Sequence, residues 1–64
     1  MTIYNKTTVA KKYGYDKYTV TLPPAAQNGQ RGLGVDVSAN ITAFTMSKTQ
    51  VDADKQSGAI EIEY

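Results

Sequence analysis

The stretch Tyr18-Thr19-Val20-Thr21-Leu22-Pro23-Pro24 constrains the rest of the chain most strongly. Tyr18, Val20 and Leu22 alternate with two threonines. That is the period-2 pattern of a half-buried strand made of β-branched and aromatic residues. Pro23 and Pro24 end it, because the proline ring fixes φ and leaves no N–H for a strand ladder. Ala25-Ala26-Gln27 could then start one short helical turn, since proline suits the first turn of a helix. Asn28-Gly29 and Gly32 break that turn, and Leu33 and Val35 bring back apolar side chains.

The remaining segments are read as strands and turns around this crossing. Thr2–Val9 is expected to form a first strand with Ile3 or Val9 facing inward. Thr7–Lys12 and Lys17–Leu22 are expected to pair as a hairpin. The turn formers Gly14 and Asp16 lie at its tip, which would carry lysines and tyrosines outward. Val35–Val37 reads as a short extended piece. Ile41–Met46 reads as a strand with apolar residues on both faces. Ser47–Lys55 is polar except for Val51, and Asp52, Asp54, Gln56, Ser57 and Gly58 read as a turn region. Ala59–Tyr64 alternates cleanly, with Ile60, Ile62 and Tyr64 inward and Glu61 and Glu63 outward, and is expected to pair with Ile41–Met46. The class this predicts is mainly β: one domain over residues 1–64, with at most one short helical turn.

A chain of 64 residues buries only about 60% of the surface it exposes unfolded, so chains of this size often need a staple. The sequence has no Cys and no His, which removes disulfides and the commonest metal ligand. Oligomerisation is the staple left by elimination. No apolar run approaches the ~20 residues of a membrane-spanning helix, and the N-terminus lacks the pattern of a signal peptide. A cytoplasmic protein without membrane contact is expected.

Charge is uneven along the chain. Residues 1–31 hold five basic side chains against one acidic, and residues 32–64 hold two against five. A basic half suggests a face suited to an anionic partner; the alternative is solvated charge that evens out on folding. An enzyme is the least expected class. Ser38, Ser47 and Ser57 have no histidine to activate them, and no Ser–Lys pair is marked. Gly29, Gly32 and Gly34 lack the lysine and the following helix of a phosphate loop. Asp52-x-Asp54 is too short for a calcium loop. No cofactor, metal or small-molecule substrate is expected. The basic-aromatic segment Lys11–Tyr18 remains. Lys11, Lys12 and Lys17 could meet phosphates, and Tyr13 or Tyr15 could hydrogen-bond or stack. Gln27, Asn28, Gln30 and Arg31 form a polar cluster able to reach base edges.

The order of these features resembles the AbrB/MazE-like swapped-hairpin DNA-binding domains. Val20-Thr21-Leu22-Pro23 matches the end of that family's first hairpin, Leu33-Gly34-Val35 its next apolar step, and Gly58-Ala59-Ile60-Glu61-Ile62 its last strand. The resemblance implies a β-barrel-like homodimer of interleaved hairpins. It also implies double-stranded DNA binding through a basic face that takes in Lys11, Lys12, Lys17 and Arg31. With the chain ending at Tyr64, a stand-alone transcriptional regulator is expected rather than an antitoxin.

The leading expectation is therefore a DNA-binding regulator with Lys11, Lys12, Tyr13, Tyr15, Lys17, Gln30 and Arg31 at its interface. Two alternatives stay open. One is a small protein-interaction module of phage or plasmid type, supported by the tyrosines and the two-sided apolar segment Ile41–Met46. The other is a single-stranded nucleic acid binder that stacks bases on the same tyrosines. Dispersal of the basic charges on folding would favour the interaction module.

Overall fold

The computed structural model describes residues 1–64. Five short strands and two helices follow the order β1 (Thr2–Asn5), β2 (Lys11–Tyr13), β3 (Val20–Leu22), β4 (Val35–Asp36), α1 (Ile41–Met46), α2 (Lys48–Ser57) and β5 (Ile60–Glu63). Single 3-10 turns at Asp16–Tyr18 and Ser38–Asn40 precede β3 and α1. Helical residues make up 34% of the chain and strands 25%. The mainly β, swapped-hairpin, β-barrel-like architecture expected from the sequence is thereby corrected to a mixed α and β fold.

Two sheets form. In the first, β1 lies between β4 and β5, antiparallel to both. Its register with β5 sets Thr2 opposite Glu63, Ile3 opposite Ile62, Tyr4 opposite Glu61 and Asn5 opposite Ile60. The last strand therefore joins the first rather than Ile41–Met46. The second sheet is the β2–β3 hairpin, with Lys11 opposite Leu22 and Tyr13 opposite Val20. The hairpin expected between Thr7–Lys12 and Lys17–Leu22 is met only in part: Lys11–Tyr13 pairs with Val20–Leu22, while residues 7–10 form no strand and Lys17 and Tyr18 lie in the 3-10 turn.

Ile41–Met46 is a helix, not a strand, and Ser47–Ser57 is largely a second helix, not a loop. Each helix turns one side inward. Ala43 and Phe44 are buried on α1, and Val51 and Asp54, three residues apart, are buried on one face of α2. Ser47 separates the helices with non-helical angles of φ −107° and ψ 28°. Gly58 ends α2 in the left-handed conformation at φ +83°, a standard helix stop.

The core is one cluster: Ile3 from β1, Tyr13 from β2, Leu22 from β3, Val37, Phe44 from α1, Val51 from α2 and Ile60 from β5. Every sheet and helix supplies a side chain or packs against it, each large one contributing about 1.5–3 kcal/mol on burial. Buried polar atoms are all hydrogen-bonded. Asn5 shows how: fully buried, it donates through Nδ2 to the Val9 carbonyl at 2.7 Å and to that of Leu22 at 3.4 Å. Its Oδ1 accepts from the Thr7 N–H and hydroxyl, both at 2.8 Å. That turn leaves Val9 in solvent, so of the two apolar residues expected to face inward only Ile3 does. Ala25–Gln27 forms no helix; the loop it belongs to is tied down by N–H groups of Ala25, Gly29 and Gly32 donating to the carbonyls of Thr7, Lys6 and Asn5. No helix is long and apolar enough to cross a membrane.

Candidate functional site

The residues first assigned to a nucleic acid interface fall into three separate environments. Tyr13 points into the core at 1% exposure, because it alternates with outward Lys12 on β2. Its ring packs against Phe44 with centroids 5.8 Å apart. Its hydroxyl donates to Asp54 Oδ2 at 2.5 Å. Burial first, and the hydrogen bond to this carboxylate second, push the Tyr13 phenol well above its ordinary range. Lys11 approaches the same carboxylate, 3.7 Å from Asp54 Oδ2, and Gln50 donates to Oδ1 at 2.9 Å. A base cannot stack on Tyr13 in this arrangement, and Lys11 serves the interior.

Arg31 and Gln30 sit in the loop before β4. Arg31 bridges Glu61 and Glu63 on β5, with Nη1 at 3.0 Å from Glu63 Oε2 and Nη2 against Glu61 Oε2. Its guanidinium lies over the Tyr4 ring, 4.5 Å from the centroid, within cation–π range. Hydrogen bonds to Glu61, then to Glu63, raise the Arg31 pKa, while Lys6 first and Arg31 second hold Glu61 below the usual carboxylate range. Gln30 contacts Gln27 at 3.4 Å.

These pairs remove most of the charge asymmetry seen along the sequence. Four of the five ion pairs join the basic segment 1–31 to the acidic segment 32–64. The fifth links Lys48 to Asp52 at 2.7 Å within α2. Lys12 and Lys17, both exposed on the β2–β3 hairpin, form no ion pair with a carboxylate. No group of three or more carboxylate, His or Cys side chains converges where it could hold a metal ion.

Tyr15 and Lys17 belong to a third place, where the hairpin tip meets the helices. Gly14 fixes the junction. Its N–H donates to Ser47 Oγ at 2.7 Å. It also lies so close to α1 that a Cβ there would come within 2.9 Å of the Ala43 Cβ. Beyond Gly14, Tyr15 and Tyr18 lie in solvent at 60% and 46% exposure. On α1 the buried side is taken by Ala43 and Phe44, which leaves Ile41 and Met46 exposed at 55% and 42%.

Two depressions open at this junction. One, of about 320 Å³, is walled by Lys17, Tyr18 and Thr19 from the tip and by Ala39–Ala43. The other, of about 380 Å³, is walled by Tyr15 and by Thr45–Gln50. Half of the chain's eight exposed large hydrophobic residues, Tyr15, Tyr18, Ile41 and Met46, gather here. Sequence reasoning found the tyrosines but placed Ile41 and Met46 in a strand. The three-residue spacing of Val51 and Asp54 was a signal for α2; the adjacent buried pair Ala43 and Phe44 gave none for α1.

Comparison of the chain with protein-family models, curated proteins and solved structures finds no match.

Proposed function

We propose that this chain is a small protein-interaction module whose docking face is the junction of the hairpin tip with α1. The observation that carries the reading is the gathering of Tyr15, Tyr18, Ile41 and Met46 in solvent around two depressions. Tyrosine and methionine are enriched at protein interfaces, where broad or adaptable side chains fill pockets on a partner. A single exposed apolar residue is ordinary, but a cluster of this kind is not. The charge distribution adds support. Duplex binding through phosphate neutralisation draws on basic groups free to release counterions, and here Lys6, Lys11 and Arg31 are already engaged with Glu61, Glu63 or Asp54.

Single-stranded nucleic acid is the second reading, because Tyr15 and Tyr18 flank Lys17 in solvent. The same face fits it less well, since Ile41 and Met46 offer no stacking plane. The module reading involves no catalytic step.

The test compares material retained from producing cells by the wild-type chain, by an Ile41→Asp/Met46→Asp variant and by Lys12→Glu. All three substituted residues are exposed, so folding is checked by thermal unfolding and should be kept. One defined protein should be retained by the wild type and by Lys12→Glu and lost from the double variant. Nucleic acid retained by the wild type and lost on Lys12→Glu would overturn the reading and restore the DNA-binding regulator.

A further inference from the structure

We infer that Asn28-Gly29 is a site of spontaneous covalent modification, the conversion of Asn28 to isoaspartate, and that one backbone hydrogen bond keeps it inert while its loop is closed. The site lines neither depression and is independent of the docking reading.

The chemistry selects this asparagine from the three in the chain. The backbone nitrogen that follows an asparagine can attack the side-chain Cγ. A C–N bond forms, a five-membered imide closes, and ammonia leaves with the carboxamide nitrogen. Water then adds to one imide carbonyl and opens the ring. Breaking the bond to the backbone carbonyl carbon leaves the chain running through Cγ, as isoaspartate; breaking the bond to Cγ gives aspartate. In sum ammonia is exchanged for water, and nothing is oxidised or reduced. The attack needs an accessible carboxamide and a nitrogen that no side chain shields. Asn28 is exposed and is followed by Gly29, which has no Cβ, and even an added Cβ would meet nothing within 4 Å. Asn5 is fully buried, bonded through both Nδ2 and Oδ1, and followed by Lys6. Asn40 donates to the Asp36 carbonyl at 2.8 Å and is followed by the β-branched Ile41.

The fold restrains the attacking nitrogen. Gln27–Gln30 is a turn closed by the Gln30 N–H on the Gln27 carbonyl at 3.1 Å, with Gly29 at its third position and φ +88°. Positive φ there is what a type II turn takes from glycine. The Gly29 N–H donates to the Lys6 carbonyl at 2.9 Å. Attack on Cγ requires this nitrogen to give up its proton, so the bond to Lys6 must break first. In the imide the nitrogen has no proton, and the bond cannot re-form until water opens the ring. Isoaspartate then leaves one extra carbon in the main chain between Ala25 and Gly29. The ties of those two residues to Thr7 and Lys6, at 2.8 and 2.9 Å, no longer share one register. The modification thus turns a transient loop opening into a lasting one.

The experiment incubates the full-length chain in mildly alkaline buffer, folded and in guanidinium. Peptides spanning Asn28 are followed by mass spectrometry with fragmentation that separates isoaspartate from aspartate. The unfolded chain should convert at Asn28, and the folded chain at least about tenfold more slowly, the order of protection expected when a hydrogen bond must open first. Gly32→Ala places a Cβ 2.6 Å from the Pro23 carbonyl oxygen; it should loosen the loop and raise the folded rate towards the unfolded one. If that variant does not fold, wild type in low guanidinium replaces it, and conversion should rise in step with hydrogen exchange at the Gly29 amide. Equal rates in the folded and unfolded chains, or a folded rate that ignores Gly29 exchange, would overturn the latch. An unfolded chain that stays unmodified at Asn28 would overturn the site itself.

Discussion

Gly14 donates its backbone N–H to Ser47 Oγ at 2.7 Å, and this bond ties the hairpin tip to the boundary between the two helices. The tyrosines of the tip, Tyr15 and Tyr18, are exposed beside it. Removing the acceptor by Ser47→Ala leaves a part-buried N–H unpaired, at a cost of about 1 kcal/mol or somewhat more. The expected readout is faster hydrogen exchange at the Gly14 amide, with a smaller change at the strand amides of β1.

Two glycines with nearly the same backbone separate strain from crowding. Gly14 has φ +87° and Gly29 φ +88°. A Cβ on Gly29 meets nothing within 4 Å, whereas on Gly14 it would lie 2.6 Å from the Tyr18 carbonyl oxygen. Gly29→Ala should cost about 1 kcal/mol from the left-handed conformation alone. Gly14→Ala should cost clearly more, about 2–3 kcal/mol in all. Denaturant unfolding of the two variants checks the order; equal losses would mean the tip is not pressed against α1.

Alkaline pH should loosen the core at Tyr13. Burial and the bond to Asp54 raise its folded-state pKa, so the folded chain holds the phenolic proton more tightly than the unfolded one. The resulting stability is fully present below the unfolded value of about 10 and falls as pH rises towards the folded value. Stability measured against pH should decline above about 10, and Tyr13→Phe should make that decline shallower. At neutral pH the same variant should lose about 1–3 kcal/mol, because it takes a donor from the buried Asp54 carboxylate.

How far the fold was legible follows from single residues. The β2–β3 hairpin and β5 could be read because Val20-Thr21-Leu22-Pro23 and Ile60-Glu61-Ile62 alternate, and alternation maps directly onto a strand. Helix α2 was hidden by Asp54. A polar residue in a buried stripe breaks the apolar pattern, and only the structure shows that Tyr13, Gln50 and Lys11 satisfy it. With Asp54 scored as surface, Val51 looked isolated and Ser47–Lys55 looked like a loop. Ile41, Thr42 and Thr45 favour strands by local preference, and burial of Ala43 and Phe44 against the hairpin overrode that preference. Of the site, Tyr15 and Lys17 were legible as an exposed basic-aromatic tip. Tyr13 was not, because the inward side of a strand is set by its partners. Nor was Arg31, whose two glutamates lie thirty or more residues away in sequence.

Acid should weaken the outer face of the first sheet. The bonds from Lys6 and Arg31 lower the pKa of Glu61 when folded, so its contribution is present above the unfolded carboxylate value of about 4.3. That contribution is lost as pH falls through the folded value. Glu61→Gln should flatten the acid limb of the stability profile. Because the cluster is exposed, added salt should shrink the difference between variant and wild type.

The measurement that bears most directly on the central claim is site-specific photo-crosslinking in producing cells. A photoreactive side chain is placed in turn at Tyr18, at Met46 and, as a control, at the exposed loop residue Gln27. The docking reading predicts one shared protein adduct from Tyr18 and Met46 and none from Gln27. Adducts only to nucleic acid, or the same yield from all three positions, would contradict it.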